Sequence, residues 1–294
     1  MNATRPVASG SPRDTGTPLG ALLRYWRDAR GVSQLDLSLD AGISQRQISF
    51  IESGRSVPGR DTLLTLAQTL DVPLRERNAL LLAAGYAPLY PEAPWNAEAM
   101  QGVTRALERV LHQHEPFPAI VMDRHWNVLM TNDAAPRLFG CFIDMAARTG
   151  PRNMLHLMFD PHGLRPHVDD WERVARSLLQ RVHREAVGHV IDGGTQRLLD
   201  ELLAYPDVPR DWNSPPARLA APDLPMVPIG LKHAGEVLRY FSLVSTLGTP
   251  QHVAAQELRI ECLFPVDEAT EARHARLFAQ HAASSGQSSD AQAH

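Results

Sequence analysis

SQLDLSLDAGISQRQISFIESG, residues 33–54, is the stretch around which the rest of the chain is read. Ser33 is a good helix N-cap, with Asp36 three residues on. Gly42 stops a first helix where the chain needs a left-handed residue. Ser44 then caps a second helix, Gln45 to Glu52, which Ser53-Gly54 ends. A turn this short makes the two helices cross steeply, the geometry of a helix-turn-helix. Leu35, Leu37 and Leu39 alternate as a strand would, but the caps on both sides and the helical pair Ile48/Ile51 decide against it. Leu37, Ala41, Ile43, Ile48 and Ile51 make the expected small core, and Ser38 is the small residue expected to let the helices approach.

Working outward, helix 1 is expected near Leu19–Arg30, with Leu22, Leu23 and Trp26 on one face and Gly31 ending it. A loop with Pro58 precedes helix 4 from about Asp61, and Pro73 opens helix 5, Leu74–Ala84. Residues 19–84 resemble the phage-repressor (XRE-type) helix-turn-helix domain, through Arg27 in helix 1, Gln34 opening helix 2 and ISFIESG at 48–54. That resemblance implies a partly buried ion pair between Arg27 and Glu52 that fixes helix 1 to helix 3, and Gln34 placed to brace the DNA backbone.

The whole chain sets limits. Its 294 residues suffice for one or two domains with ample core. A net charge of −4 gives no global basic field, so DNA binding must rest on a local surface. Lys232 is the single lysine. Cys141 and Cys262 fit no metal spacing and read as two free thiols of a reducing cytoplasm. Residues 1–17 have no apolar run, so no signal peptide is expected, and no stretch approaches the about 20 apolar residues of a membrane span. A cytoplasmic protein with no membrane partner is expected.

The expected boundaries are a disordered arm at 1–17, a helix-turn-helix domain at 18–85, a stiff proline-rich linker at 86–96, a second domain at 97–280 and a disordered tail at 281–294. In the second domain a helix at about Ala97–His114 precedes strands at Ala119–Met122 and Trp126–Thr131. Helices follow at about Asn132–Phe139 and Trp171–Val187, then a turn at Asp192–Gly194 and a helix at Thr195–Ala204. Residues 206–228 hold seven prolines and read as an irregular crossing. Met226–His233, Glu236–Leu247 and Glu257–Phe264 are strand-like, with a hairpin at Ala234-Gly235, and a last helix starts near Glu268.

Two strands, helices and a three-stranded meander form the element order of a PAS-type domain. The segments PFPAIVMDRHWNVLMTNDAA at 116–135, NMLHLMFDPHGLRPH at 153–167 and STLGTPQHVAAQELRIECLFP at 245–265 resemble the ligand-binding domain of MmyB-like regulators. The resemblance implies a multi-domain fold: an N-terminal all-α five-helix phage-repressor-like domain plus a C-terminal α+β PAS-like domain. It also implies a fatty-acid-like or similar hydrophobic ligand.

Ser44, Gln45, Arg46, Gln47 and Ser49 are the expected DNA-facing residues, because the start of the second helix of the motif enters the major groove. Glutamine pairs bidentately with adenine and arginine with guanine. Arg55 and Arg60 are candidates for phosphate contacts, which position without specifying. From Gln45 to Arg60 the only acid is Glu52, against three arginines. Leu35 and Leu39 fall on one exposed stripe, a candidate seam against another domain or subunit.

An apolar pocket is expected in the second domain, with a wall drawn from Met122, Met130, Leu138, Phe139, Met154, Leu157, Met158, Phe159, Trp171, Phe241 and Leu243. Asn132, His156 and Arg165 are candidate polar anchors, Arg165 the best match to a carboxylate. His156, His162, His167 and Asp160 fit no familiar zinc spacing, so no metal is expected. No nucleophile with a nearby base and no phosphate loop appears, so an enzyme is not expected. The expected partners are double-stranded DNA, a small apolar ligand and a second copy of the chain. The rival expectations are a PAS-like domain that only dimerises and a PAS-like enzyme joined to a DNA-binding domain.

Overall fold

The computed structural model describes residues 19–185, 192–214 and 228–290, the last ten of these by backbone alone. The expected arm at 1–17 and most of the proline-rich crossing, 215–227, lie outside the described residues. By its contacts the chain forms two units. One holds the helices up to Pro94 together with Thr249–Gln256; the other holds Trp95–Glu185, Gly194–Gly248 and the chain from Glu257.

The first unit has five helices: α1 Leu19–Ala29, α2 Gln34–Ala41, α3 Gln45–Glu52, α4 Arg60–Thr69 and α5 Leu74–Ala83. Local chemistry sets their ends. Ser33 and Asp36 form a reciprocal capping box at α2, and Gly42, with φ of 65°, closes it. The Ser44 hydroxyl accepts from the Gln47 amide at 3.2 Å and starts α3. Leu23, Leu37, Ile48, Ile51, Leu63 and Leu66 are fully buried or nearly so. Ala41 and Ile43 pack on this core from its margin.

Two features of this unit follow from tertiary contact. A Cβ on Gly20 would lie 2.5 Å from the carbonyl oxygens of Ile51 and Glu52, so α1 and α3 touch where there is no side chain. Gly20 is therefore the small residue at a close approach, whereas the Ser38 hydroxyl donates within α2 to the Leu35 carbonyl. The proline-rich stretch after α5 is held down by Asn78, a buried residue. Its Oδ1 accepts from the Leu89 and Tyr90 amides at 3.0 Å each. Its Nδ2 donates to the Tyr90 carbonyl at 2.7 Å and to Glu92 at 2.8 Å. The open first amide of α5, on Leu74, donates to the side chain of Gln256 at 2.8 Å.

Glu52 is the centre of the unit. Its side chain has no exposed surface, and that of Arg27 is 13% exposed. Arg27 donates Nε to Oε1 at 2.6 Å and Nη2 to Oε2 at 3.0 Å. Gln34 donates Nε2 to Oε2 at 2.8 Å. Arg24 adds a bond to the Glu52 backbone carbonyl at 3.1 Å. Burial alone would raise this carboxyl, but the hydrogen bonds from Arg27 and Gln34 and the Arg27 charge outweigh it, and the group titrates below the usual carboxylate range.

In the second unit a 3₁₀ turn, Glu98–Met100, leads into α6, Gln101–Gln113. Then come β1 Ala119–Met122, β2 Val128–Thr131, α7 Ala134–Gly140, α8 Met154–Phe159, β3 Val168–Asp169, α9 Trp171–Arg184, α10 Gly193–Ala204, β4 Ile229–His233, β5 Glu236–Ser245, β6 Arg259–Pro265 and α12 Glu268–Asp290. The short helix α11, Val253–Glu257, falls between β5 and β6 in sequence, and its residues up to Gln256 add to the five helices of the first unit. The strands form one antiparallel sheet of order β2-β1-β6-β5-β4-β3. The last strand thus enters between the first and the hairpin. Ala119 faces Cys262 across β1/β6, and Leu231 faces Leu238 across β4/β5. The first unit is all-α and the second is α+β.

Several expected element ends move. Trp126 has φ of 67°, so it belongs to a left-handed turn that Asp123 closes on the His125 and Asn127 amides, and β2 starts at Val128. Gly193 and Gly194 open α10 where a turn is expected. The helix α12 runs to Asp290, so 281–290 are helical in backbone where an irregular tail is expected. Strand β3 and the short helices α8 and α11 have no expectation in the sequence; two to six residues are too few to show a period.

Several buried polar groups in this unit are paired across elements. The Tyr240 hydroxyl donates to His274 Nδ1 at 2.7 Å, and His274 Nε2 donates to the Pro116 carbonyl at 2.9 Å. Burial keeps the His274 ring neutral, below its ordinary pKa. Arg181 binds Glu261 through Nη1 and Nη2 at 2.9 and 3.1 Å, and its guanidinium lies 4.5 Å above the Trp126 ring.

Arg27→Met strands a buried carboxylate and is expected to cost about 3–5 kcal/mol of the first unit's stability. Denaturation of the full chain followed by hydrogen exchange over residues 19–54 measures it, and unchanged protection there would contradict the assignment. Because the Glu52 carboxyl is depressed on folding, its contribution is complete above the unfolded value of about 4.3 and fades as pH falls through the lower folded value. Glu52→Gln flattens that acid limb. Gly20→Ala forces α1 from α3 and is expected to destabilise by about 1–3 kcal/mol, read as a fall in thermal midpoint.

Candidate DNA-recognition face and ligand-binding cavities

The start of α3 presents Gln45, Arg46 and Gln47 fully to solvent, with Ser49 half-buried one turn on. Ile48 and Ile51, on the opposite side, are in the core. This split is what helical spacing imposes on QRQISFIE. Phe50 organises the face: Arg46 lies 5.3 Å from its ring centroid and Arg55 lies 5.8 Å from it. The Phe50 carbonyl also accepts from the Arg55 and Ser56 amides at 2.8 and 3.2 Å, which folds the loop back on α3. One aromatic ring thus holds two guanidinium groups near one edge of the unit. Arg60 is exposed at the first turn of α4.

Glu52, the only acid from Gln45 to Arg60, is turned inward onto Arg27, so the outward face carries Arg46, Arg55 and Arg60 without an opposing carboxylate from that segment. Gln34 differs from its expected place at the DNA backbone. Its amide is committed to Glu52, which makes it part of the buried network. Ser44 likewise spends its hydroxyl on the Gln47 amide. Leu35 and Leu39 are 52% and 74% exposed.

In the second unit the expected pocket residues do not share one cavity. An enclosed space of about 40 Å³ inside the sheet-and-helix core is lined by Trp126, Phe139, Met158, Leu178, Ile229 and Tyr240 among others. An open cleft of about 500 Å³ lies along α9 and β5, with Leu178, Ile229, Phe241 and Val244 as its apolar side. Arg181, Arg184 and Glu185 form its charged side, with Arg181 donating Nε to Glu185 at 2.6 Å. Leu178, Ile229 and Tyr240 line both spaces and are the partition between them. Of the expected wall, Phe139 faces the enclosed space and Phe241 the cleft. Met122 and Phe159 are packed core, Met130 is half-buried on β2, and Leu243 is 55% exposed on β5.

The expected anchors are already engaged. Asn132 accepts from the Ala119 and Ala135 amides through Oδ1 and donates to the Phe117 carbonyl, so it joins β1 to α7. His156 sits between the Tyr205 hydroxyl at 3.0 Å and Glu201 at 3.1 Å. Arg165 pairs with Asp207 at 2.5 Å and stacks 5.4 Å from the Trp171 ring, outside the sheet-and-helix core. Trp171 donates to the Asp207 carbonyl at 3.3 Å. The pair Arg181 and Glu261, the first lining the cleft and the second the enclosed space, has no expectation in the sequence, where 80 positions separate them. Nothing in the local pattern marks that pair. Burial pushes both the Cys141 and Cys262 thiols up, which makes them poor nucleophiles.

Comparison with known proteins bears on both units. Residues 103–277 match the model of the MmyB-like transcription regulator ligand-binding domain, and residues 23–77 match a helix-turn-helix model. The uncharacterized HTH-type transcriptional regulator RghRB of Bacillus subtilis (strain 168) is 32% identical over 119 residues, which is 40% of this chain and 84% of that protein. The solved structure of an RNA-binding Light-Oxygen-Voltage receptor overlaps 92% of this chain and 64% of its own at 13% identity, with a TM-score of 0.25. Among the described residues no helix is long and apolar enough to cross a membrane. With a capped helix-turn-helix in one unit and the matched ligand-binding domain in the other, the chain belongs to the MmyB-like transcription regulators: it is a DNA-binding transcriptional regulator with a ligand-binding domain.

Proposed function

We propose a one-component regulator that binds a near-palindromic operator as a homodimer and responds to a small hydrophobic, fatty-acid-like ligand. The observation that carries the DNA half is the exposed start of α3, with Arg46 and Arg55 held against the Phe50 ring and Glu52 neutralised behind them. Arg46, with Gln45 and Gln47, reads base edges in the major groove; Arg55 and Arg60 meet phosphates. The exposed Leu35 and Leu39 are the natural seam for a second subunit.

The ligand half is supported by the cleft along α9. Its apolar side suits a hydrocarbon chain, and Arg184 is exposed there without an ion-pair partner among the described residues. A carboxylate meets Arg184 while its chain lies on Leu178, Ile229 and Phe241. Because Leu178 and Ile229 also wall the enclosed space, a chain that wedges between them shifts α9 against the sheet. A ligand changes the equilibrium only by its preference for one arrangement over the other. One observation favours a second reading, a domain that only dimerises: the enclosed space is about 40 Å³, room for a water and not for a chain.

Arg46→Ala is expected to lose roughly 1–3 kcal/mol on the specific site and to relax one base position. Arg55→Ala weakens all sequences alike and reduces the salt slope by about one unit. Titrations at several salt concentrations measure both, and unchanged affinity in both variants would remove α3 from the groove.

Medium- and long-chain fatty acids added to delipidated full-length protein are expected to raise its thermal midpoint and change operator affinity, with Arg184→Ala weakening the response. If neither quantity moves, the dimerisation-only reading stands.

A further inference from the structure

A second pocket lies where α7, α8 and strands β1 and β2 meet. It has a volume of about 190 Å³ and an apolar floor of Ile120, Val128, Phe139 and Leu157. Among the described residues its only charged lining residues are Arg148 and Arg152, and no carboxylate lines it. It shares no lining residue with the cleft along α9.

Arg148 is held there in an unusual state. Its side chain is 13% exposed. Nη1 donates to the Pro151 carbonyl at 2.9 Å. Nε and Nη2 are buried and have no hydrogen-bond partner. The closest approach to a carboxylate is 3.7 Å, from Nη2 to Asp160 Oδ2, beyond hydrogen-bonding reach. The guanidinium lies against Gly150, where an added Cβ would sit 2.7 Å from Nη2. The glycine thus leaves the space that the guanidinium fills.

Buried donors without acceptors are costly, more so on a charged group. A guanidinium presents a planar fork that a carboxylate answers with two parallel bonds. The pocket volume sets the scale of the group that lies inside it, since a cavity of about 150 Å³ holds one benzene. We propose that this pocket binds a compact monocarboxylate with an aromatic or branched body. The body lies on Val128, Phe139 and Leu157, the carboxylate meets Arg148, and Arg152 adds a second positive charge at the mouth. The site is separate from the cleft and does not depend on what the cleft binds.

The experiment uses the full chain and isothermal titration calorimetry. Phenylacetate is the probe, and phenylacetamide, of the same shape without the charge, is its control. Phenylacetate is expected to bind saturably, one per chain, with phenylacetamide and the Arg148→Met variant at least about tenfold weaker. Arg152→Ala weakens it by about threefold. Gly150→Ala, which displaces the guanidinium, weakens it as Arg148→Met does, and it serves as the test if Arg148→Met does not fold. A tetradecanoate response that survives in Arg148→Met shows the two sites to be independent. Absence of saturable phenylacetate binding, or equal binding of acid and amide, overturns the proposal. So does affinity unaffected by both Arg148→Met and Gly150→Ala.

Discussion

The carboxylate of Glu52 is the point on which the DNA-binding unit depends. It is the last residue of α3, yet its bonds run to Arg24 and Arg27 of α1 and to Gln34 of α2. Three helices therefore meet on one buried charge. Such a charge is stable only when every lone pair is answered, and here guanidinium and amide groups answer them. The geometry also has a functional consequence. The acid that would oppose DNA is removed from the surface by the same contact that fixes the angle of α3.

Gly20 and Phe50 extend that logic on the two sides of α3. Gly20 lets the α1 backbone approach the end of α3, which brings Arg24 and Arg27 within reach of Glu52. Phe50 faces the other way and holds Arg46 and Arg55 over its ring. A long arginine loses rotamer freedom when it binds DNA, and one already stacked loses less. The proposed reading face is thus partly pre-ordered by an aromatic contact, on a helix whose orientation is set from behind by an ion pair.

The second unit handles buried charge in two ways. Arg181 is enclosed by Glu261 and the Trp126 ring, a complete arrangement that joins α9 to β6. Arg148 is enclosed with two donors unanswered, beside an apolar pocket. The first is a closed structural pair; the second, with Asp160 no nearer than 3.7 Å, is the arrangement proposed above to take a carboxylate. Asn132, His156 and Arg165, attractive by residue type, all belong to the first kind, because each already has its partners.

The sequence by itself determined the elements whose cause is local. The caps at Ser33 and Ser44, the stop at Gly42 and the spacing of Leu37, Ile48 and Ile51 place α2 and α3, and the faces of α3 follow from helical period. Likewise the Ala234-Gly235 turn joins two strands in register from His233 and Glu236. Only tertiary structure decided which polar groups were free. Gln34 turned to Glu52 and Asn132 to a strand end because partners distant in sequence came within reach. The pairs Arg181–Glu261 and Leu74–Gln256 span 80 and 182 positions and leave no periodic trace. The cavities have the same origin: whether Phe139 or Phe241 lines a space or fills one depends on what packs opposite it, which no local pattern records.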